Sequence, residues 1–372
     1  MKSNYRALSE LIEKVDERND DGAITELIGV SIDKCFIKSV ANTNGTDLSK
    51  YKIIRKNEFA VSLMQVSRDS KIPVARLEDY EVAIMSPAYP IFRVKDTRKI
   101  LPEYLDMWFK RPEFDREAAF IAVGGVRGSM PWEEFVKMKL PVPTIEKQLE
   151  IVNSYKAITE RIALKQKIND NLLDSVQAIF RSWFVDYDPF DGVCPSNWET
   201  GCVEDIAEFF DSMRKPLSSL ERTDMERIYP YYGAVSIVDY VDDYIFDGEY
   251  LLVSEDGIYV VDENGHPLIQ HISGKFWANN HAHILKGKSG FNEDSLYLFL
   301  ANTNMAPIVT GAAQPKINQA NLKSFPITIP DSETMLKFNN IIQPFFDQRL
   351  TNESEIKKLE ALLSLLLTRL VD

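Results

Sequence analysis

LPVPTIEKQLEIVNSYKAITERIALKQKINDNLLDSVQAIFRSWFV, residues 140–185, carries a heptad seam. With Ile151 at position a, the a sites are Ile151, Ile158, Lys165, Leu172 and Ile179, and the d sites are Tyr155, Ile162, Asn169, Val176 and Trp183. Eight of the ten are apolar, the two polar ones sit together in the middle, and no Gly or Pro interrupts the run. Such spacing predicts a long helix that pairs with another helix. The partner is in the same chain. Sliding the register by 187 positions (330 − 143) gives a sites Phe338, Phe345, Asn352, Leu359 and Leu366 and d sites Ile342, Arg349, Ile356, Leu363 and Leu370. Again eight of ten are apolar, with Arg349 and Asn352 near the centre, so two matched seams are expected to pair with each other. Pro344 predicts a kink or a late start in the second helix.

Outside these helices the chain is ordinary in composition. Its 372 residues suffice for two or more domains, and 45% hydrophobic with 27% charged residues suits a folded protein. No run is long and apolar enough for a membrane span, and MKSNYRALSELIEKVDERND is too charged for a secretory signal. Cys35, Cys194 and Cys202 are odd in number and lack CxxC spacing, which points to reduced thiols and a cytoplasmic protein. Charge is uneven: residues 1–143 sum to +1, residues 144–185 to +1, residues 186–330 to −13 and residues 331–372 to −2. The overall field of the second globular segment therefore does not attract polyanions.

The chain reads as globular segment 1–143, helix 144–185, globular segment 186–330 and helix 331–372. In the first segment KYKIIRK (50–56), FAVSLMQV (59–66), EVAIM (81–85) and PIFRV (90–94) read as strands bounded by turn formers such as NTNG (42–45). Helices are expected at about 102–110 and 132–138, flanking the loop AVGGVRGSMP (122–131). The second segment repeats these events: Glu58-Phe59 is echoed by Glu249-Tyr250, EYLDMWF by DSLYLFL, GVRGSMPWEEF by GAAQPKINQANL, and LPVP by FPITIP. Each half is one repeat. If the helices pair within the chain, a two-fold axis makes them antiparallel and sets the globular units at opposite ends, spaced by helices of about 60 Å at ~1.5 Å per residue. The polar central residues are expected to fix register at some loss of stability.

A catalytic constellation is not found. Gly287-Lys288-Ser289 lacks the upstream Gly of a phosphate loop, Gly124, Gly125 and Gly128 miss GxGxxG spacing, and there is no GxSxG or NPPY-like motif. His281 and His283 would share one side of a strand with His266 and His271 nearby, but no carboxylate or Cys sits at partner spacing, so no metal site is assigned. Polar loop chemistry stands out instead. Gln314, Lys316, Asn318 and Gln319 in one loop, and Arg127, Ser129 and Trp132 in its counterpart, offer groups that could read base edges or hold phosphates. Lys52, Arg55, Lys56, Arg68 and Lys71 form a basic run, and Arg214-Lys215 an isolated pair.

Five stretches then give the pattern a family: MSPAYPIFRVKD (85–96), GSMPWEEFVKMKLPVPTIEKQLEIV (128–152), NDNLLDSVQAIFRSWF (169–184), WANNHAHIL (277–285) and GAAQPKINQANLKSFPITIP (311–330). Over essentially its full length the chain resembles the specificity subunits of type I restriction–modification systems. The resemblance implies an α+β protein: two mixed α/β target recognition domains separated by two long antiparallel coiled-coil helices, a pseudo-two-fold internal repeat. Each domain would read one half of a split site in double-stranded DNA, and the helices would set the gap. It also implies two methyltransferase subunits, which bring S-adenosylmethionine, and restriction subunits, which bring ATP and Mg, with no cofactor held by this chain and no catalytic residue in it. Carried over by position, DNA contact falls on the loops around Arg127 to Trp132 and Gln314 to Asn318, on Ser86 and Tyr89, and on Asn279, Asn280 and His281. Two other readings fit the same residues: a protein-binding coiled-coil scaffold, and the specificity chain of a methylation-only defence system.

Overall fold

A computed structural model describes residues 4–39, 47–64, 66–123, 128–257, 260–311 and 313–371. The NTNG turn and the candidate Arg127 lie outside the described residues. The chain divides into two compact units, residues 1–165 with 355–372, and residues 166–354.

In the first unit, strand Tyr5–Ala7 pairs antiparallel with Lys139–Pro141, so the start of the globular head is clasped to the segment that enters the long helix. A helical turn, Leu8–Leu11, follows, with Glu10 Oε1 accepting a hydrogen bond from the Ala7 amide at 3.2 Å. Strand Ile12–Val15 then joins the edge of a four-stranded sheet whose order continues through Ile91–Val94 and Phe59–Val61 to Val74–Arg76. Strand Lys52–Arg55 pairs separately with Val82–Met85. An aromatic cluster sits within the aliphatic core: Phe59 and Phe92 stack at 5.2 Å, and Phe109 meets both rings edge-on at 5.7 and 6.0 Å.

FAVSLMQV, expected as one strand, is a strand only over Phe59–Val61, and Val66–Asp69 is a helical turn. The partner strand explains this. Ser62 donates its amide to Pro73 O at 2.8 Å, but Pro73 has no N–H to return, and the ladder ends. The expected helix Pro102–Phe109 forms, with Pro102 in the first turn where a missing N–H costs nothing. The helix expected over 132–138 is the single turn Trp132–Phe135.

The second unit repeats the opening. Glu199–Cys202 pairs antiparallel with Pro326–Ile329, the turn Val203–Ile206 follows, and Asp205 Oδ2 accepts from the Cys202 amide at 2.8 Å. Its sheet is larger, with six strands in the order Ala207–Phe209, Ala282–Gly287, Phe246–Ser254, Ile269–Ala278, Tyr229–Tyr232 and Ile237–Val241. Helix Glu293–Ala301 packs against it, capped by Asn292, whose side chain accepts from the Ser295 amide at 2.9 Å.

The heptad segments are helices of 40 residues, Ile145–Phe184, and 37 residues, Ser332–Thr368. Contacts inside each unit show them antiparallel. In the first unit Ile151, Val152 and Tyr155 join the cluster that holds Leu366, Leu367 and Leu370, while Arg161 and Lys165, further along, both reach Glu355. In the second, Asn169 meets Asn352 at 2.8 Å, and Trp183 meets Phe338 at 5.8 Å. The C-terminal helix does not start late at Pro344; it begins twelve residues earlier, at Ser332, and runs through the proline. Asp331 accepts from the Glu333 and Thr334 amides at 3.1 Å, and Phe338, Ile342 and Phe346 are buried on both sides of Pro344, which together hold the turn that proline would break.

Candidate nucleic-acid interface

In the first unit the strand pairing that sets Lys52 against Met85 brings Lys52 beside the turn holding Ser86 and Tyr89. Lys52 is only 6% exposed, and its ammonium donates to Tyr89 O at 3.1 Å and lies 3.5 Å from Asp16. Burial pushes its pKa down, against the pull of Asp16. Its role here is to hold the turn in place. Ser86 Oγ accepts from the Ala88 amide at 3.4 Å, closing the turn, and the Tyr89 ring packs on the small core beneath. Arg55, at the far end of the same strand, is exposed but engages Glu17 through two hydrogen bonds of 2.5 and 3.1 Å, which hold the Glu17 carboxyl below its usual range.

Ser129 and Trp132 sit elsewhere in this unit. Trp132 is half-buried against Phe92 and Phe135, at 5.8 and 5.4 Å, with the Lys14 ammonium 5.7 Å from its ring centre. Gly128 has φ +72° and turns its α-carbon against the Ser67 hydroxyl, so a side chain there would be strained and would collide. The structure therefore anchors the C-terminal side of this loop, through Gly128, Trp132 and the Met130 amide, which donates to Leu63 O at 2.9 Å.

In the second unit the candidates converge. The Glu255 amide donates to His281 O at 2.9 Å, the Ile317 amide to Glu255 O at 2.9 Å, and His283 Nε2 contacts Ile317 O at 2.8 Å. Three chain segments are thereby knitted into one surface that carries Asn279 to His281 and Gln314 to Asn318. Asn280 and Gln314 are exposed, and His281 is half exposed with its Nδ1 2.7 Å from Asp256. Asn279 is buried, and its Oδ1 accepts from the His281 amide at 2.8 Å. Asn318 caps helix Gln319–Lys323 by accepting from the Asn321 amide at 2.8 Å. Lys316 reaches Glu255 at 2.8 Å, a hydrogen bond that raises the lysine pKa.

Beneath this surface lies an ionic hub that sequence reasoning missed. Arg214, expected as half of an isolated basic pair, is instead mostly buried, with Asp211 at 3.2 Å, Glu255 at 2.5 Å and Ala282 O at 2.7 Å. His283 lies 2.6 Å from Asp211, and the Ile284 amide donates to the same carboxylate at 2.9 Å. Burial alone would raise the pKa of Asp211, but the hydrogen bond and charge of His283, the Ile284 amide and Arg214 hold it below the usual range. Glu255 behaves alike: burial pushes it up, and the hydrogen bonds from Lys316 and Arg214 more than reverse that. Asp211, Glu255 and His283 are close enough to hold a metal ion. Yet both ring nitrogens of His283 already face protein oxygens, and Arg214 and Lys316 supply the positive charge that the carboxylates require. The local signal was Asp211 and Arg214 three residues apart in a helical turn; the carboxylate that completes the hub, Glu255, follows strand Phe246–Ser254.

Residues 195–361 match the family model described as the type I restriction modification DNA specificity domain. The second half of the chain is thus similar to the specificity subunits of type I restriction systems. A putative type I restriction enzyme specificity subunit of Haemophilus influenzae is 39% identical over 128 residues, covering 34% of this chain and 32% of that relative, so the match spans about a third of the relative's length. The MjaIX specificity subunit of Methanocaldococcus jannaschii is 22% identical over 73% of this chain and 68% of its own. The S subunit of a type I restriction–modification system from M. genitalium shares the fold, with a TM-score of 0.58 and 14% identity over 99% of this chain and 96% of that one. As the resemblance implied, the chain is α+β, with two mixed heads and paired antiparallel helices. Among the described residues no helix is long and apolar enough to cross a membrane.

Proposed function

We propose that this specificity subunit reads an asymmetric, gapped site in double-stranded DNA, one half-site per head, and positions two methyltransferase subunits and, with them, restriction subunits on it. The observation that carries this is the repeat itself: two heads with the same clasped opening, each ending in one of two helices that pair antiparallel. The heads differ in sheet size, which supports unlike half-sites rather than a palindrome. Base-reading groups are proposed at Asn280, His281 and Gln314 in the second head, and at the loop from Arg127 to Trp132 and the turn at Ser86 and Tyr89 in the first. Lys52, Arg55, Asn279, Lys316 and Asn318 are proposed to shape these loops. S-adenosylmethionine, ATP and Mg belong to the partner subunits in this account, and the complex works in the cytoplasm.

Phosphate binding draws on cations, and the second head has few to give: Arg214 and Lys316 are spent on Glu255, and Arg222 on Asp239. The methyltransferase is therefore proposed to supply most of the phosphate grip. The test is a titration of labelled duplex with the subunit alone and with its methyltransferase, at moderate salt. Weak binding alone and tight, sequence-selective binding in the complex support the proposal; tight binding by the isolated chain, or a complex without sequence preference, contradicts it.

A further inference from the structure

The two long helices are repeats of one another, but the polar residues in their seams do not repeat. Counting from the helix starts at Ile145 and Ser332, Lys165 is equivalent to Asn352, whereas Asn169 is equivalent to Ile356. In the structure Asn352 donates to Asn169 Oδ1 at 2.8 Å and accepts from Gln348 Nε2 at 3.0 Å, and the two asparagines are 1% and 9% exposed. In the first unit, Lys165 lies 2.7 Å from Glu355, which Arg161 also contacts.

We propose that this offset polar layer selects the partner of each helix: the central helix is matched to the C-terminal helix and mismatched to a second copy of itself. The inference rests on the reading of the helix pair as the spacer between two heads. Its physical basis is the position of the amides. If two central helices met in the same geometry, Asn169 would face Lys165 of the copy, and Lys165 would find Ile168 where Glu355 belongs. If two C-terminal helices met, Asn352 would face Ile356 of the copy in place of the Asn169 amide, and Glu355 would face Asn352 and Gln348 in place of its cations. Of the three pairings, the mixed one alone sets amide against amide and Glu355 against its two cations. A slip of one heptad is opposed in the same way, because it sets Asn169 against Phe345 or Leu359. A buried amide is a known device for fixing partner and register in coiled coils.

The layer matters before the heads have closed on the helices. The first half of the chain is synthesised with its apolar seam exposed and without its proper partner, which is when like-with-like pairing between two chains competes. Exchange of C-terminal helices between two chains would keep the layer intact, so the device discriminates between helices and not between chains.

The test is refolding of the full chain from denaturant over a range of concentrations, read by sedimentation and without DNA. The unaltered chain should return as a single-chain species. Asn352→Ile, which makes the seam of the C-terminal helix compatible with itself and orphans Asn169, should raise the two-chain fraction several-fold at equal concentration. Ile162→Ala truncates a buried residue of the same seam and keeps the amides; it should lower stability yet return single chains. No rise with Asn352→Ile, or an equal rise with Ile162→Ala, overturns the proposal. Because the readout is mass, its failure is separate from failure to find a gapped DNA site.

Discussion

The two heads hold their candidate loops by different chemistry. In the first, the loop is followed by Trp132, seated against the rings of Phe92 and Phe135. In the second, the equivalent loop is tied down by Lys316 and His283 on the carboxylates of Glu255 and Asp211, with Arg214 between them. A single repeated framework can thus carry two loop anchors with unlike dependence on salt and pH. The aromatic anchor is indifferent to both, whereas the ionic one depends on carboxylates that must stay charged.

The largest difference is expected from removing the centre of each anchor. Phe92→Ala opens a cavity in the first head and should cost about 3–5 kcal/mol in urea unfolding, with no dependence on salt. Glu255→Ala leaves Arg214 and Lys316 without their shared carboxylate and should cost the second head about 3 kcal/mol. This cost belongs to neutral pH. A carboxyl whose folded pKa is depressed supports the fold above its ordinary range and loses that support as pH falls through the depressed value. Unfolding curves for Glu255→Ala and the unaltered chain should therefore converge in acid; a gap that persists there would break the ionic account of the second head.

A smaller effect is expected away from the loops. Burial, with Glu249, Asp347 and Glu293 nearby and only Arg349 opposing, pushes Asp294 up to about 7. Its neighbour His271, 3.6 Å away, is pushed down to about 4 by burial and Arg349. A carboxyl raised in the folded state stabilises it at low pH and withdraws that support as pH rises through about 7. Asp294→Asn should thus gain in unfolding temperature over the unaltered chain between about pH 5 and about pH 8. A constant difference across that range would show that Asp294 does not titrate there. The smallest change is expected at the surface of the first head, where Arg55→Ala should cost less than about 1 kcal/mol, because the pair with Glu17 is exposed.

The helices were legible because a heptad seam is periodic and local; LPVP and FPITIP were legible only as a repeat, and the clasp strands they overlap were not, because each pairs with a strand more than 120 residues away. The strand FAVSLMQV was misread because its end is set by Pro73 on a neighbouring strand, which the run itself does not contain. The hub escaped notice for the same reason. Asp211, Glu255 and His283 are scattered through an acidic segment, and only the sheet order brings their strands side by side. Lys52 looked like a surface cation in a basic run, and its burial follows from Tyr89 and Asp16, which come from separate parts of the head.

The central claim is that the helix pair sets the gap between two independent reading heads. Residues 169–175 and 346–352 can each be duplicated in tandem, adding one matched heptad to both helices, and the variant assembled with its methyltransferase for mapping of methylated adenines. Seven residues at ~1.5 Å each lengthen the pair by about 10 Å, or about three base pairs at ~3.4 Å. The same two half-sites separated by about three more base pairs is the predicted result; an unchanged gap, or altered half-sites, would contradict it.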